Sequence, residues 1–387
     1  MVSLMLDAIM LDDLLFFIAC YLPLLVDRIS FSRSHRRFAT LLRPMIAEAK
    51  ERPAAAAAAL GLSHLHQCAT VFLNDPQFLV FPEASIAETL KFNKVLTLLT
   101  LQWNKNGPIM SIGATSIGNE LACNAVLTEL KLVHNRLDLD TIKALASALK
   151  VNVVLKKLQI SGRIGDKGVR AIAEALKVNS VLTELYLDTN VIEDEGTSSI
   201  AKALMVNKVL TVLALDNNFI NVVGSNAIAK SLEVNTTLTS LNLDYNELCG
   251  SGKAFRKALE TNSSLKLLKM KACDLCHNDN SQLSCGIFKN MSLTSLDLSY
   301  NGLNRAKWLS LILRCPSLTQ LDISGEQLRG DMLTMVMKAA SKKESFKLIF
   351  SQLDRQLHRQ VMTVVSREFA CAPPPPMAVI YLPGTVA

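Results

Sequence analysis

Apolar and polar residues alternate over short stretches that recur at a near-constant distance along the chain. The hexad L-x-x-L-x-[LIM] begins at Leu96, Leu127, Leu155, Leu182, Leu210, Leu238, Leu265, Leu293 and Leu318, at intervals of 25 to 31 residues. Within the fourth copy, Leu182, Leu185 and Leu187 stand at spacings that a strand can bury. The residues that follow change period. Ile200, Ala203 and Leu204 share one helical face, as do Val169, Ile172, Ala173 and Leu176 one copy earlier. So regular a recurrence predicts one strand-and-helix unit copied many times.

Two polar positions keep the same register. Eight residues after each first leucine stand Asn104, Asn135, Arg163, Asn190, Asn218, Asn246, Cys273, Asn301 and Glu326, where each strand must end. Three residues before each first leucine stand Asn93, Asn124, Asn152, Asn179, Asn207, Asn235, Asn262, Asn290 and Cys315. Asparagine tolerates the left-handed conformation that closes a helix, so this second set is expected to form helix C-terminal caps in that conformation. Gly168, Gly196, Gly224 and Gly252 recur ahead of the helices and are expected to mark the turn into each of them.

With these motifs the chain resembles the leucine-rich repeats of the ribonuclease-inhibitor type. "AIAEALKVNSVLTELYL", residues 171–187, looks especially like the repeats of NOD-like receptors. The resemblance implies an α/β solenoid, a horseshoe with parallel strands on its concave face and helices on its convex face. Elementary geometry agrees, because strands stack about 4.8 Å apart while helices with their side chains are about 10 Å wide. The expected organisation is a solenoid over 85–330, preceded by a helical linker or N-terminal cap over 46–84. A C-terminal helical cap over 331–371 and a flexible proline-rich tail over 372–387 follow it.

Residues 1–45 read differently. The apolar run in "DDLLFFIACYLPLLV" is preceded by Asp7, Asp12 and Asp13, where a secretory signal carries positive charge. The segment 10–42 resembles an F-box, with Asp13, Leu14, Leu15, Ile18, Tyr21, Leu22, Pro23, Leu24, Asp27, Ser30, Arg37 and Phe38 in matching roles. It departs from that pattern at Leu11, where a proline is expected, and by one residue near Leu25 and Val26. The resemblance implies a helical module that docks on a Skp-type adaptor of a cullin ubiquitin ligase through Leu14, Leu15, Ile18, Leu22, Pro23, Leu24 and Phe38. The alternative is a lid that hides the first repeat's leucines from water.

Composition adds little and excludes some classes. Half of the residues are hydrophobic, as a leucine-filled solenoid requires, and no apolar run reaches the length that spans a bilayer. Nine cysteines without paired spacing predict reduced thiols and a cytoplasmic or nuclear location. A net charge of +7 is mild for 387 residues and is not clustered, which argues against a nucleic-acid partner.

Candidate chemistry is thin. "CGSGK", residues 249–253, lacks the first glycine and the final Ser or Thr of a phosphate-binding loop. "CDLCH", residues 273–277, has haem-attachment spacing and, with Cys285, a partial zinc pattern; however, Cys273 occupies the asparagine position of its repeat, where a buried structural sulfur is expected. The six scattered histidines offer a nucleophile no recognisable base. The expectation is a non-enzymatic protein without metal, cofactor or small-molecule substrate.

Function is then expected on the strand face turned away from the helices. Positions three, five and seven of each repeat project there: Lys157 and Gln159; Glu184, Tyr186 and Asp188; Val212, Ala214 and Asp216; Ser240, Asn242 and Asp244; Lys269 and Lys271; and Asp297. Such a face, acidic at Asp188, Asp216 and Asp244 and flanked by lysines, can orient a charged protein partner. Tyr245 and Tyr300 near the strand exits add a residue type that binding sites favour. Three functions fit: a substrate receptor of a cullin-type ligase, a NOD-like-receptor-type scaffold lacking a nucleotide-binding domain, and a Ran-type GTPase activator. The last lacks the acidic tail of that family, since 331–387 is mildly basic.

Overall fold

The computed structural model describes residues 70–73, 90, 96–102, 111–134, 137–303, 306–326 and 346–349. The F-box-like segment, Asn93, Asn104, Asn135 and the proline-rich tail lie outside these residues. The chain divides into two compact units, 1–162 and 163–387.

In the first unit, β1 (Thr70–Leu73), β2 (Leu98–Gln102), β3 (Glu129–Val133) and β4 (Lys157–Ile160) pair in parallel and in chain order. Helix α1 (Ser111–Leu121) joins β2 to β3, and α2 (Leu139–Val151) joins β3 to β4. The central leucines Leu99, Leu130 and Leu158 are buried, and α1 lies against α2.

The second unit repeats this pattern through α3 (Gly165–Leu176), β5 (Glu184–Tyr186), α4 (Asp194–Val206), β6 (Val212–Ala214), α5 (Val222–Leu232), β7 (Ser240–Asn242), α6 (Gly252–Thr261), β8 (Leu267–Lys269), α7 (His277–Lys289), β9 (Ser295–Asp297), α8 (Ala306–Leu313), β10 (Gln320–Asp322) and β11 (Lys347–Ile349). Strands β5 to β11 again pair in parallel and in chain order. Each strand buries its middle residue and, except for the buried Ala214, leaves the neighbours half-buried, so Leu185, Leu213, Leu241, Leu268, Leu296, Leu321 and Leu348 form one continuous row. Successive helices α3 to α8 each pack on the next. This is an α/β leucine-rich-repeat solenoid. Stacking is what makes it stable, because a strand of three residues and one helix cannot bury their own leucines.

Two strands were not expected. β1 lies in the segment 46–84 read as helical, and β11 lies in the segment 331–371 read as a helical cap. Pairing of Leu321 with Leu348 gives Leu348 the fourth position of the repeat, and the sequence has serine and not leucine three residues before it. Pairing of Val71 with Leu99 likewise puts Val71 where the repeat has its fourth-position leucine. A leucine template passes over both, although the strand pairing survives the substitutions.

The asparagines that precede each hexad are not left-handed caps. Asn152, Asn207, Asn262 and Asn290 close α2, α4, α6 and α7 with extended backbones, for example φ −68° and ψ 131° at Asn207. Their side chains do the work. Asn207 Nδ2 donates to Leu176 O at 2.8 Å and Asn179 O at 3.2 Å in the preceding repeat, while its Oδ1 accepts the N–H groups of Val209 and Leu210 at 2.9 and 2.8 Å. Asn124, Asn152, Asn235, Asn262 and Asn290 repeat the arrangement. A buried amide that satisfies carbonyls behind it and N–H groups ahead of it ties helix end, turn and next strand together.

The left-handed conformation falls instead at the strand exits, at Thr189, Asn217, Tyr245, Ala272 and Tyr300, with φ between 50° and 58°. Each of these residues donates its N–H to the next repeat, as Tyr245 does to Lys271 O at 2.8 Å. The residue after each one is the buried member of the second polar ladder. Asn218 Oδ1 accepts from Asn190 N and Ile192 N at 2.9 and 3.1 Å, and its Nδ2 donates to Leu187 O, Leu215 O and Asp216 O.

The repeated glycines also differ from expectation. Gly168, Gly196 and Gly224 lie inside the first turns of α3, α4 and α5, and Gly252 opens α6. Three of them are needed because the adjacent repeat leaves no room. A Cβ on Gly196 would stand 2.5 Å from Asp166 Oδ1, and one on Gly252 would stand 2.4 Å from Asp279 Cα.

Candidate functional site

The strand face opposite the leucine row carries the residues expected to bind. In the first unit, Lys157 and Gln159 lie half-buried on β4. Lys157 is already engaged, since its Nζ lies 3.3 Å from Glu129 Oε1, beside Lys131 at 3.0 Å. Burial pushes the Glu129 carboxyl up, but hydrogen bonds and charge from the two lysines outweigh it and hold the group below the ordinary range.

In the second unit the register aligns three rows. Glu184, Val212, Ser240, Leu267 and Ser295 form the first, and Tyr186, Ala214, Asn242, Lys269 and Asp297 the second. Asp322 extends the second row and had no place in the sequence reading. Just beyond the strands, Asp188, Asp216, Asp244 and Lys271 occupy the equivalent third position.

These side chains hold one another. Tyr186 donates its hydroxyl to Glu184 Oε2 at 2.9 Å, and Asn242 Nδ2 donates to Asp216 Oδ1 at 2.9 Å. Asp244 Oδ1 accepts the N–H of Lys271 at 2.6 Å. Lys271 Nζ lies 5.3 Å from the ring centres of both Tyr245 and Tyr300, within cation–π range of each. Both tyrosines are about half exposed, at 49% and 52%, so the cation and its two rings form an exposed aromatic cluster at the strand exits.

The acidic row is under strain. Burial raises the Asp216 carboxyl, and the charge of Asp188 adds to it. Burial likewise raises Asp244 to about 6, with Asp297 and Asp216 pushing the same way against the Lys271 N–H and Lys269. Lys271 is raised above the ordinary lysine value, first by its hydrogen bond with Tyr245. Carboxylates so placed favour a positive group brought to them.

In the two chemical motifs, the phosphate-type backbone donors and the first cysteine of the haem-type spacing take structural roles. Gly250 and Gly252 donate their N–H groups to the Asp279 carboxylate at 2.8 Å each, so a protein anion already takes the donors that a phosphate would need. Cys273 is buried in the asparagine ladder, with its Sγ 3.1 Å from Leu243 O, and burial pushes its thiol up to about 12. The adaptor-docking residues Leu14, Leu15, Ile18, Leu22, Pro23, Leu24 and Phe38 lie outside the described residues. Among the described residues, no helix is long and apolar enough to cross a membrane.

A family model described as "Leucine Rich repeat" matches residues 178–201, 234–252 and 289–304. No curated protein matches the chain. Among solved structures the chain is similar to "Leiomodin-1 Actin-Binding Site 2 (ABS2)" at 28% identity, over 35% of this chain and 80% of that one, with a TM-score of 0.32. The matched segments and the fold show leucine-rich repeats stacked as a solenoid, and repeats of this class build protein–protein interaction modules.

Proposed function

We propose that the chain is a non-enzymatic receptor that binds a protein through the strand face of its second unit, the inner face of the repeat geometry. The observation that carries this reading is the mixed-charge surface around Lys271, with Tyr245 and Tyr300 flanking the cation, Asp244 accepting the Lys271 N–H, and Asp216 further along the same row, joined to Asn242. Exposed tyrosines around fixed charges supply contact area at low entropic cost, and the charges select the partner's orientation. Glu184, Tyr186, Asp188, Asn242, Lys269 and Asp297 extend this surface along the rows.

In the same reading, residues 10–42 tether the receptor to a Skp-type adaptor, making it a substrate receptor of a cullin-type ubiquitin ligase. The support is the sequence pattern of Leu14, Leu15, Ile18, Leu22, Pro23, Leu24 and Phe38. Purified full-length chain mixed with a Skp-type adaptor is expected to elute as a complex in size-exclusion chromatography. The Leu22→Asp/Leu24→Asp variant is expected to elute alone with an unchanged melting transition. Co-elution of neither form removes the ligase role. For the binding face, a photo-crosslinking residue at Asn242 is expected to capture a protein in cells, and one at the exposed helix residue Lys202 is not. Equal capture from both positions sinks the strand-face assignment.

A further inference from the structure

One seam of the second unit departs from its repeat at three positions together. Three residues past the ladder residue stand Glu193, Asn221, Cys249 and Cys276 in successive copies, and six past it stand Gly196, Gly224, Gly252 and Asp279. Stacked copies place equivalent positions side by side, so the two cysteines meet, and the carboxylate that replaces the glycine joins them. The Cys249 and Cys276 sulfurs and an Asp279 carboxylate oxygen all lie within 4.8 Å of one another.

The three groups differ in how they are held. Asp279 is buried, at 1% exposure, and is fixed by N–H donors from Gly250, Gly252 and Cys276 at 2.8, 2.8 and 3.1 Å. Cys276 precedes α7 and points its thiol at Asp279 Oδ2, 2.8 Å away. The exposed Cys249 completes the triangle from the preceding repeat and leaves it open to solvent. Two sulfurs and a carboxylate oxygen therefore converge on one point at the surface.

We propose that Cys249, Cys276 and Asp279 form a binding site for a thiophilic divalent cation of the zinc class, with water in the fourth position. Two soft sulfurs and one hard oxygen match the ligand preference of zinc, whose Zn–S bonds of about 2.3 Å set tetrahedral sulfurs about 3.8 Å apart. Binding releases both thiol protons to solvent while the carboxylate keeps its backbone donors. The site is independent of the proposed partner surface, because it lies between the N-terminal ends of α6 and α7 and not on the strand face.

The test uses the full chain, reduced and freed of metal, titrated with cadmium as a thiolate-reporting probe and with zinc under weak buffering. The expected result is a sulfur-to-cadmium charge-transfer band and about two protons released per zinc bound at this site. Cys249→Ala is expected to lose that equivalent, with affinity falling at least tenfold and an unchanged circular dichroism spectrum. Cys123→Ala, at another exposed thiol, is expected to keep it. Cys249 is exposed, and the circular dichroism spectrum and melting transition of its variant separate ligation from folding. Failure of the reduced wild type to bind zinc or cadmium overturns the proposal, as does a loss of less than tenfold in Cys249→Ala.

Discussion

The carboxylate of Glu326 holds the backbone of Asn301: one oxygen accepts the Asn301 N–H at 2.6 Å and the other accepts from Leu303. In the preceding repeats an asparagine oxygen does this work, as Asn301 itself does for Cys273 at 2.9 Å. Burial raises the Glu326 carboxyl against the lowering effect of those N–H donors. Glu326→Ala leaves two buried donors unsatisfied and is expected to cost about 2–4 kcal/mol. Glu326→Gln keeps an acceptor and is expected to cost about 1 kcal/mol or less, both read from urea unfolding.

Asn218 connects two repeats by five hydrogen bonds, two accepted and three donated. Asn218→Ala is expected to destabilise the chain by about 3 kcal/mol. Asn218→Cys is expected to fall between alanine and the wild type, because Cys273 fills the same place with its Sγ 3.1 Å from Leu243 O. Chemical denaturation of the three proteins checks the order.

Asp244 predicts a pH dependence with a definite sign. Its carboxyl is raised from 3.8 to about 6 in the folded chain, so the folded state holds its proton more tightly than the unfolded state. The stability this supplies is complete below about pH 4 and is lost as pH rises through about 6. Asp244→Asn removes the charge and can keep the acceptor for the Lys271 N–H. It is expected to unfold at higher urea than wild type at pH 8, by on the order of 1–2 kcal/mol, with the gap closing toward pH 4.

Two glycines separate crowding from backbone strain. Gly252→Ala drives a Cβ to 2.4 Å from Asp279 Cα, a backbone atom that cannot swing aside, and is expected to cost about 1–3 kcal/mol. Gly302 has φ +66° and nothing within 4 Å of its would-be Cβ, so Gly302→Ala is expected to cost only about 1 kcal/mol of left-handed strain. Differential scanning calorimetry of both variants reads the contrast.

Leu213 stands in the buried leucine row, and Leu213→Ala is expected to cost about 2–5 kcal/mol. Hydrogen exchange is expected to quicken first in the neighbouring strands β5 and β7, because each repeat gains its stability from the copies beside it.

Leucine spacing was enough to read the solenoid, since burial on one side of a strand is a local period that any window of a few residues displays. The row of Asp188, Asp216 and Asp244 was legible for the same reason: equal intervals in the chain become adjacent places in a parallel sheet. Lys271 between Tyr245 and Tyr300 was legible only in part. The three residues could be named, but their meeting depends on left-handed exits at Tyr245 and Tyr300 that neither residue prefers.

Sequence by itself therefore determined the repeat, its buried leucines and the residues presented on β4 to β9, because these follow from short periods and from hydrophobicity. Tertiary structure decided what the polar residues do. The asparagines before each hexad span two repeats with extended backbones, Gly196 and Gly252 make room for a neighbour's atoms, and Cys249, Cys276 and Asp279 converge at one seam. Each of these depends on which groups lie across a repeat boundary, and stacking sets that distance where local sequence does not.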